Sequence, residues 1–92
     1  MGDPTVWRLN TSHLAWREVE DEVIVLDLRT SEYLTLNDTG AFLWVVLESG
    51  ASAQSLYESL MGRWEVDRET AEKDVDDFLQ YCRDADFVEP AA

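Results

Sequence analysis

VIVLDLRTSEYLTLNDTG, Val23 to Gly40, decides the fold: two apolar runs joined by a polar turn lead straight into a helix start. Val23 to Leu28 is almost continuously apolar, with Asp27 the one interruption. Such a run reads as a strand with both faces at least partly covered, and so as the central strand of a sheet. Arg29-Thr30-Ser31-Glu32 is polar and lacks glycine, which suits a four-residue connection built on a type I turn. Tyr33 to Leu36 alternates, placing Tyr33 and Thr35 on one face and Leu34 and Leu36 on the other. Asn37 and Asp38 follow with side-chain oxygens suited to capping a helix that begins near Thr39.

Upstream, His13 to Val19 also alternates, and the charged turn Glu20-Asp21-Glu22 joins it to the central run. Leu14 to Leu36 is therefore expected to form a three-stranded antiparallel meander. In a meander the third strand is an edge, and free edge groups either need protection or are meant for use. Tyr33 to Leu36 has no lysine and no proline, only Glu32 at its start, so it is under-protected. Residues 1–12, with Gly2, Pro4 and Asn10 and little periodicity, are expected to be a flexible tail. Trp7 and Leu9 are the residues that would dock if this arm folded back. The domain proper is expected over residues 13–89.

Downstream, Thr39 to Glu48 is apolar nearly all round, the mark of a buried helix, and Gly50 suits the left-handed position after it. Ser52 is a natural cap for a second helix from Ala53 to about Arg63, with Leu56, Leu60 and Trp64 on its apolar face. Asp67 caps a third and longest helix reaching about Asp84. Its stripe is Ala71, Val75, Phe78, Leu79, Cys82 and Ala85, at helical spacing. Phe87 and Val88 close the domain, and Glu89 to Ala92 reads as a short tail. The order predicts an α+β fold: an N-terminal three-stranded antiparallel sheet followed by three helices, like a winged helix-turn-helix with its sheet moved to the front.

Composition limits the functions. At 92 residues the chain is one domain with little spare stability for an elaborate catalytic site. Seven Lys and Arg against twenty Asp and Glu leave a formal charge of −13. That charge argues against nucleic acid and against acidic membrane surfaces, and favours a basic or neutral peptide as partner. A DNA-binding winged helix would need a basic recognition helix, and neither the second nor the third helix supplies one. One histidine, His13, and one cysteine, Cys82, form no nucleophile-base pair and no metal-ligand spacing, and the four glycines are scattered. No catalytic residue, metal or cofactor is expected. No apolar run approaches the roughly 18 residues that span a bilayer and no export signal precedes the strands, so the expected location is the cytoplasm.

The ordered set of Leu26 to Gly40, Leu43-Trp44 with Gly50, and Asp74-Val75 resembles the PqqD-like RiPP recognition elements. It is most similar to the stand-alone members of lasso-peptide biosynthesis. Ser31 and Asp38 stand where that family often has glycine and proline. The resemblance implies a non-enzymatic module that binds the leader segment of a ribosomally made precursor and presents it to a leader peptidase and a macrocyclase. A radical-SAM or cyclodehydratase enzyme as partner is the alternative within the family. It also implies that the leader adds as an antiparallel strand to the third strand, in the groove against the third helix. The peptide-binding residues expected on that basis are Arg29, Glu32, Tyr33, Leu34, Thr35 and Leu36 on the hairpin, with Val75, Asp76, Phe78, Leu79 and Cys82 on the helix. Of these, Leu36 and Leu79 are also the strongest candidates for plain core. Glu72, Asp74 and Asp77 lie on or beside the same groove.

Overall fold

A computed structural model describes residues 4–91. The elements run β1 (Val6–Leu9), β2 (Leu14–Val19), β3 (Glu22–Asp27), β4 (Glu32–Asn37), α1 (Asp38–Leu47), β5 (Ala51–Ser52), α2 (Ala53–Arg63), α3 (Arg68–Asp84) and β6 (Val88–Pro90). The expected meander and three helices are present, with boundaries within a residue of the sequence reading. β3 is central, flanked antiparallel by β2 and β4. Its inward side chains Val23 and Val25 are buried, while Ile24 and Leu26 face outward and are half-buried.

Two departures concern the ends. Residues 1–3 of the expected tail, and Ala92, lie outside the described residues. Residues 6–9 are not a tail: β1 is the middle strand of a second antiparallel sheet, between β5 and β6. Val6 and Trp7 pair with Ser52 and Ala51, and Trp7, Arg8 and Leu9 pair with Pro90, Glu89 and Val88. Leu9 is buried in the core beside Val88, which supplies the driving force for docking a four-residue strand too short to declare itself by alternation. The expected C-terminal tail is likewise used, since Val88–Pro90 is β6.

Local chemistry accounts for the helix starts unevenly. Ser52 Oγ accepts from Ser55 N at 3.1 Å and Asp67 Oδ1 from Thr70 N at 2.8 Å, as expected of N-caps. Neither Asn37 nor Asp38 caps α1 as expected: Asn37 makes no side-chain capping bond, and Asp38 has φ +48°. Asn37 occupies the cap position with the extended backbone usual there, φ −138° and ψ 170°, while still pairing with Glu22 as the last residue of β4, but its side chain makes no bond to the first turn. Gly50 ends α1 at φ +85°, the left-handed conformation that glycine takes without steric cost.

The core gathers α1, the inner face of β3, α2 and one face of α3. Trp44 of α1 is fully buried at its centre, edge-on to Trp16 (5.6 Å) and to Phe87 (6.1 Å). Phe87 thus links the core to the end of α3.

Candidate functional site: an open strand edge facing a helix

β4 pairs with β3 on one side only, and among the described residues its other edge carries no partner. Alternation then sorts its side chains. Tyr33, 72% exposed, and Thr35 stand outward, while Leu34 and Leu36 are half-buried on the inner face, toward α3. The edge therefore presents six residues of backbone above an apolar trough.

The trough is closed at its Asn37 end where Leu36 meets α1 and α3. A Cβ added to Gly40 would lie 3.5 Å from Leu36 Cδ2 and 3.9 Å from Phe78 Cε1. At the hairpin end it widens into a cavity of about 210 Å³. Val25, Leu34 and Phe87 supply apolar lining, Tyr81 of α3 lines one side, and Asp27 and Glu32 contribute carboxylates. Tyr81 is held edge-on to Phe87 at 6.1 Å.

The hairpin that shapes this end has four residues between the paired Asp27 and Glu32. Asp27 O accepts from Thr30 N (3.3 Å) and Ser31 N (2.7 Å), and Ser31 sits at φ +61°. A left-handed residue completes the turn here, which explains why glycine suits the position. Arg29 folds back over it: Nε donates to Asp27 Oδ1 at 3.1 Å and Nη2 to Asp27 Oδ2 at 3.0 Å. The Arg29 hydrogen bond holds the Asp27 carboxyl below its ordinary range against an opposing push from burial. On α3, Lys73 is bound to Asp77 at 2.8 Å. Glu32 and Asp74 form no ion pair among the described residues, so the charge left open around the trough is negative.

The structure brings together only part of the expected set. Glu32, Leu34, Leu36 and Phe78 converge on the trough, and Tyr33 and Thr35 contribute the strand edge. Val75, Leu79 and Cys82 are buried, Val75 at 0% exposure, so they belong to the core. Burial alone pushes the Cys82 thiol up to about 12. Asp76 turns to the other side of α3, where it accepts from Tyr57 Oη at 2.6 Å. That bond, aided by burial, raises Tyr57 to about 12. The helix stripe had merged two faces: residues at its centre pack inward, and only its flank meets the trough. Tyr81 and Phe87, which line the hairpin-end cavity, lie outside the expected set. The available signal was that Tyr81 lies three residues after Phe78, on the same side of the helix.

An unpaired edge above an apolar trough, on a sheet followed by three helices, defines a peptide-strand-accepting class of domain. The chain belongs to the PqqD family: the family described as Coenzyme PQQ synthesis protein D (PqqD) matches residues 22–88. Among solved structures it is similar to "TbiB1 in Complex with the TbiA(beta) Leader Peptide" at 28% identity and TM-score 0.82, covering 92% of this chain and 98% of that one. "Lasso peptide synthetase B1 complexed with the leader peptide" is similar at 27% identity and TM-score 0.79, covering 91% and 98%. No protein of curated function matches the sequence.

Proposed function

We propose that this protein binds the leader segment of a ribosomally synthesised precursor peptide as an added antiparallel strand on β4, against α3. It then delivers that leader to a lasso-type leader peptidase and, with it, a macrocyclase. The observation that carries the reading is the six-residue open edge of β4, with Leu34 and Tyr81 lining the cavity at its hairpin end and Leu36 and Phe78 both approaching Gly40 at the other. Both similar structures hold a leader peptide.

The energetics say what the leader must contain. Four or five main-chain bonds at about 1 kcal/mol net give roughly 5 kcal/mol, while association costs about 4 to 15 kcal/mol. Affinity therefore rests on anchors, each buried apolar side chain adding about 1.5 to 3 kcal/mol. The hairpin-end cavity has room for one such side chain, and the open carboxylate of Glu32 favours a basic or neutral neighbour over an acidic one.

The protein performs no chemistry of its own on this reading. Cys82 is buried and protonated, and the ring nitrogens of His13 are engaged by Asp86 O at 2.9 Å and Ser12 Oγ at 3.2 Å. It works in the cytoplasm beside the ribosomally made substrate; no helix among the described residues is long and apolar enough to cross a membrane. The test is anisotropy of labelled synthetic halves of a co-encoded precursor. Saturable binding of the leader half alone is expected, and equal binding of the core half, or none of either by folded protein, overturns the reading.

A further inference from the structure

We propose that Arg29 is a positioning residue: with Asp86 it clamps the hairpin to the end of α3 and so sets the width of the trough. This rests on the leader-binding reading of that trough. Arg29 Nη1 donates to Asp86 Oδ2 at 3.2 Å and Nη2 to the Ala85 carbonyl at 2.9 Å, while Nε and Nη2 also hold Asp27. All three guanidinium nitrogens are thus committed within the protein. Among the described residues no other side-chain hydrogen bond or ion pair joins the hairpin to this helix end. At the Asn37 end of the trough Leu36 and Phe78 both approach Gly40; at the opposite end this tie is the side-chain polar link between hairpin and helix.

Asp86 is itself held in an unusual conformation. It follows Ala85, the C-cap of α3, at φ +62°. Phe87 N donates to Cys82 O (2.8 Å) and Asp86 N to Arg83 O (3.1 Å), the paired bonds of a Schellman helix end. Glycine is the unstrained choice at such a position, and any other side chain carries a steric cost. Here the side chain present is one whose carboxylate meets Arg29. Its carbonyl meanwhile accepts from His13 Nε2 at 2.9 Å and Asn10 Nδ2 at 3.4 Å, which steadies the residue from the β2 side. Both charged side chains are substantially exposed, at 42% and 62%. An exposed pair adds little to global stability, so the effect of the clamp falls on geometry: a binding trough works only when its walls are held within about 0.5 Å.

Two variants test this with the synthetic leader half as probe. Asp86→Gly removes the carboxylate and relieves the left-handed strain, so its melting temperature should equal or exceed that of the parent while the leader Kd rises about fivefold. Arg29→Lys keeps the charge but lacks the fork that reaches Asp27, Asp86 and Ala85 together, and should lose affinity similarly. A ligand role for Arg29 makes the opposite prediction: Asp86→Gly would free the guanidinium for a leader carboxylate and tighten binding. Unchanged or tighter binding by Asp86→Gly overturns the clamp. Hydrogen exchange without peptide separates this from failure of the leader reading. Amides of residues 28–32 and 85–87 should exchange faster in Arg29→Lys than in the parent, and unchanged exchange overturns the clamp whether or not any leader binds.

Discussion

The molecule contains two three-stranded antiparallel sheets that treat their edges in opposite ways. In the sheet β5–β1–β6 the middle strand is satisfied on both sides, and the outer strands are two and three residues long, one of them ending at Pro90. A strand so short, or ended by a residue without an amide N–H, offers another chain almost nothing to pair with. In the sheet β2–β3–β4 one outer strand, β2, carries the exposed charges of Arg17 and Glu18, a common protection against pairing. The other, β4, runs six residues with no lysine and no proline. One sheet is closed off by short outer strands, and the other leaves the six-residue edge of β4 unpaired among the described residues. On the proposed function, β1, β5 and β6 serve stability and β4 serves recognition.

Perturbing what both sheets share should have the largest effect. Val75 lies in the common core at 0% exposure, so Val75→Glu buries an unpaired charge at a cost of several kcal/mol. Against a total stability of about 5 to 15 kcal/mol it should unfold much of the population by circular dichroism. Leader binding should then be lost through unfolding, in contrast to loss from a folded variant. Next, Leu9→Ala empties a buried site of the closed-off sheet and should cost about 2 to 5 kcal/mol in denaturant titration. The leader Kd of the folded fraction should stay near that of the parent, and a large affinity loss without destabilisation would break the division of labour.

Phe78→Asp acts on the other side. The half-buried ring borders the trough, and losing it should weaken leader binding about tenfold to a hundredfold while lowering the melting temperature less than Leu9→Ala does. The smallest effect expected is in acid. Because the Asp27 carboxyl sits below its ordinary range in the folded protein, its ionised form contributes stability above the unfolded value of about 3.9. That contribution is lost as pH falls through the folded value. Asp27→Asn should therefore flatten part of the stability loss below about pH 4 in thermal melts taken at successive pH values.

Sequence pattern made the open sheet legible and the closed-off one illegible. β2, β3 and β4 each have six residues, long enough for alternation to appear, and α2 and α3 carry their caps openly. β1, β5 and β6 have four, two and three residues, too few for a period, and their pairings join distant parts of the chain. At the site, Leu34, Leu36 and Phe78 were readable from strand alternation and helix spacing. Val75, Leu79 and Cys82 share that spacing, so separating them required knowing how α3 is rotated about its axis. Asp76 and Asp77 are neighbours in sequence, yet Asp76 bonds Tyr57 of α2 while Asp77 bonds Lys73. Only tertiary packing decides such a choice.

The pairing of Arg8 with Glu89 joins residues from nearly opposite ends of the chain. During synthesis the meander can assemble as soon as Asn37 is free of the ribosome. β1 then finds two residue pairs when Ser52 emerges, and its other three wait for Pro90. Contacts so distant in sequence carry the largest loop-closure cost and form late. The unpaired β4 edge is therefore built early, and the nascent protein passes through an interval in which it stands open before β1 has fastened the two ends of the chain together.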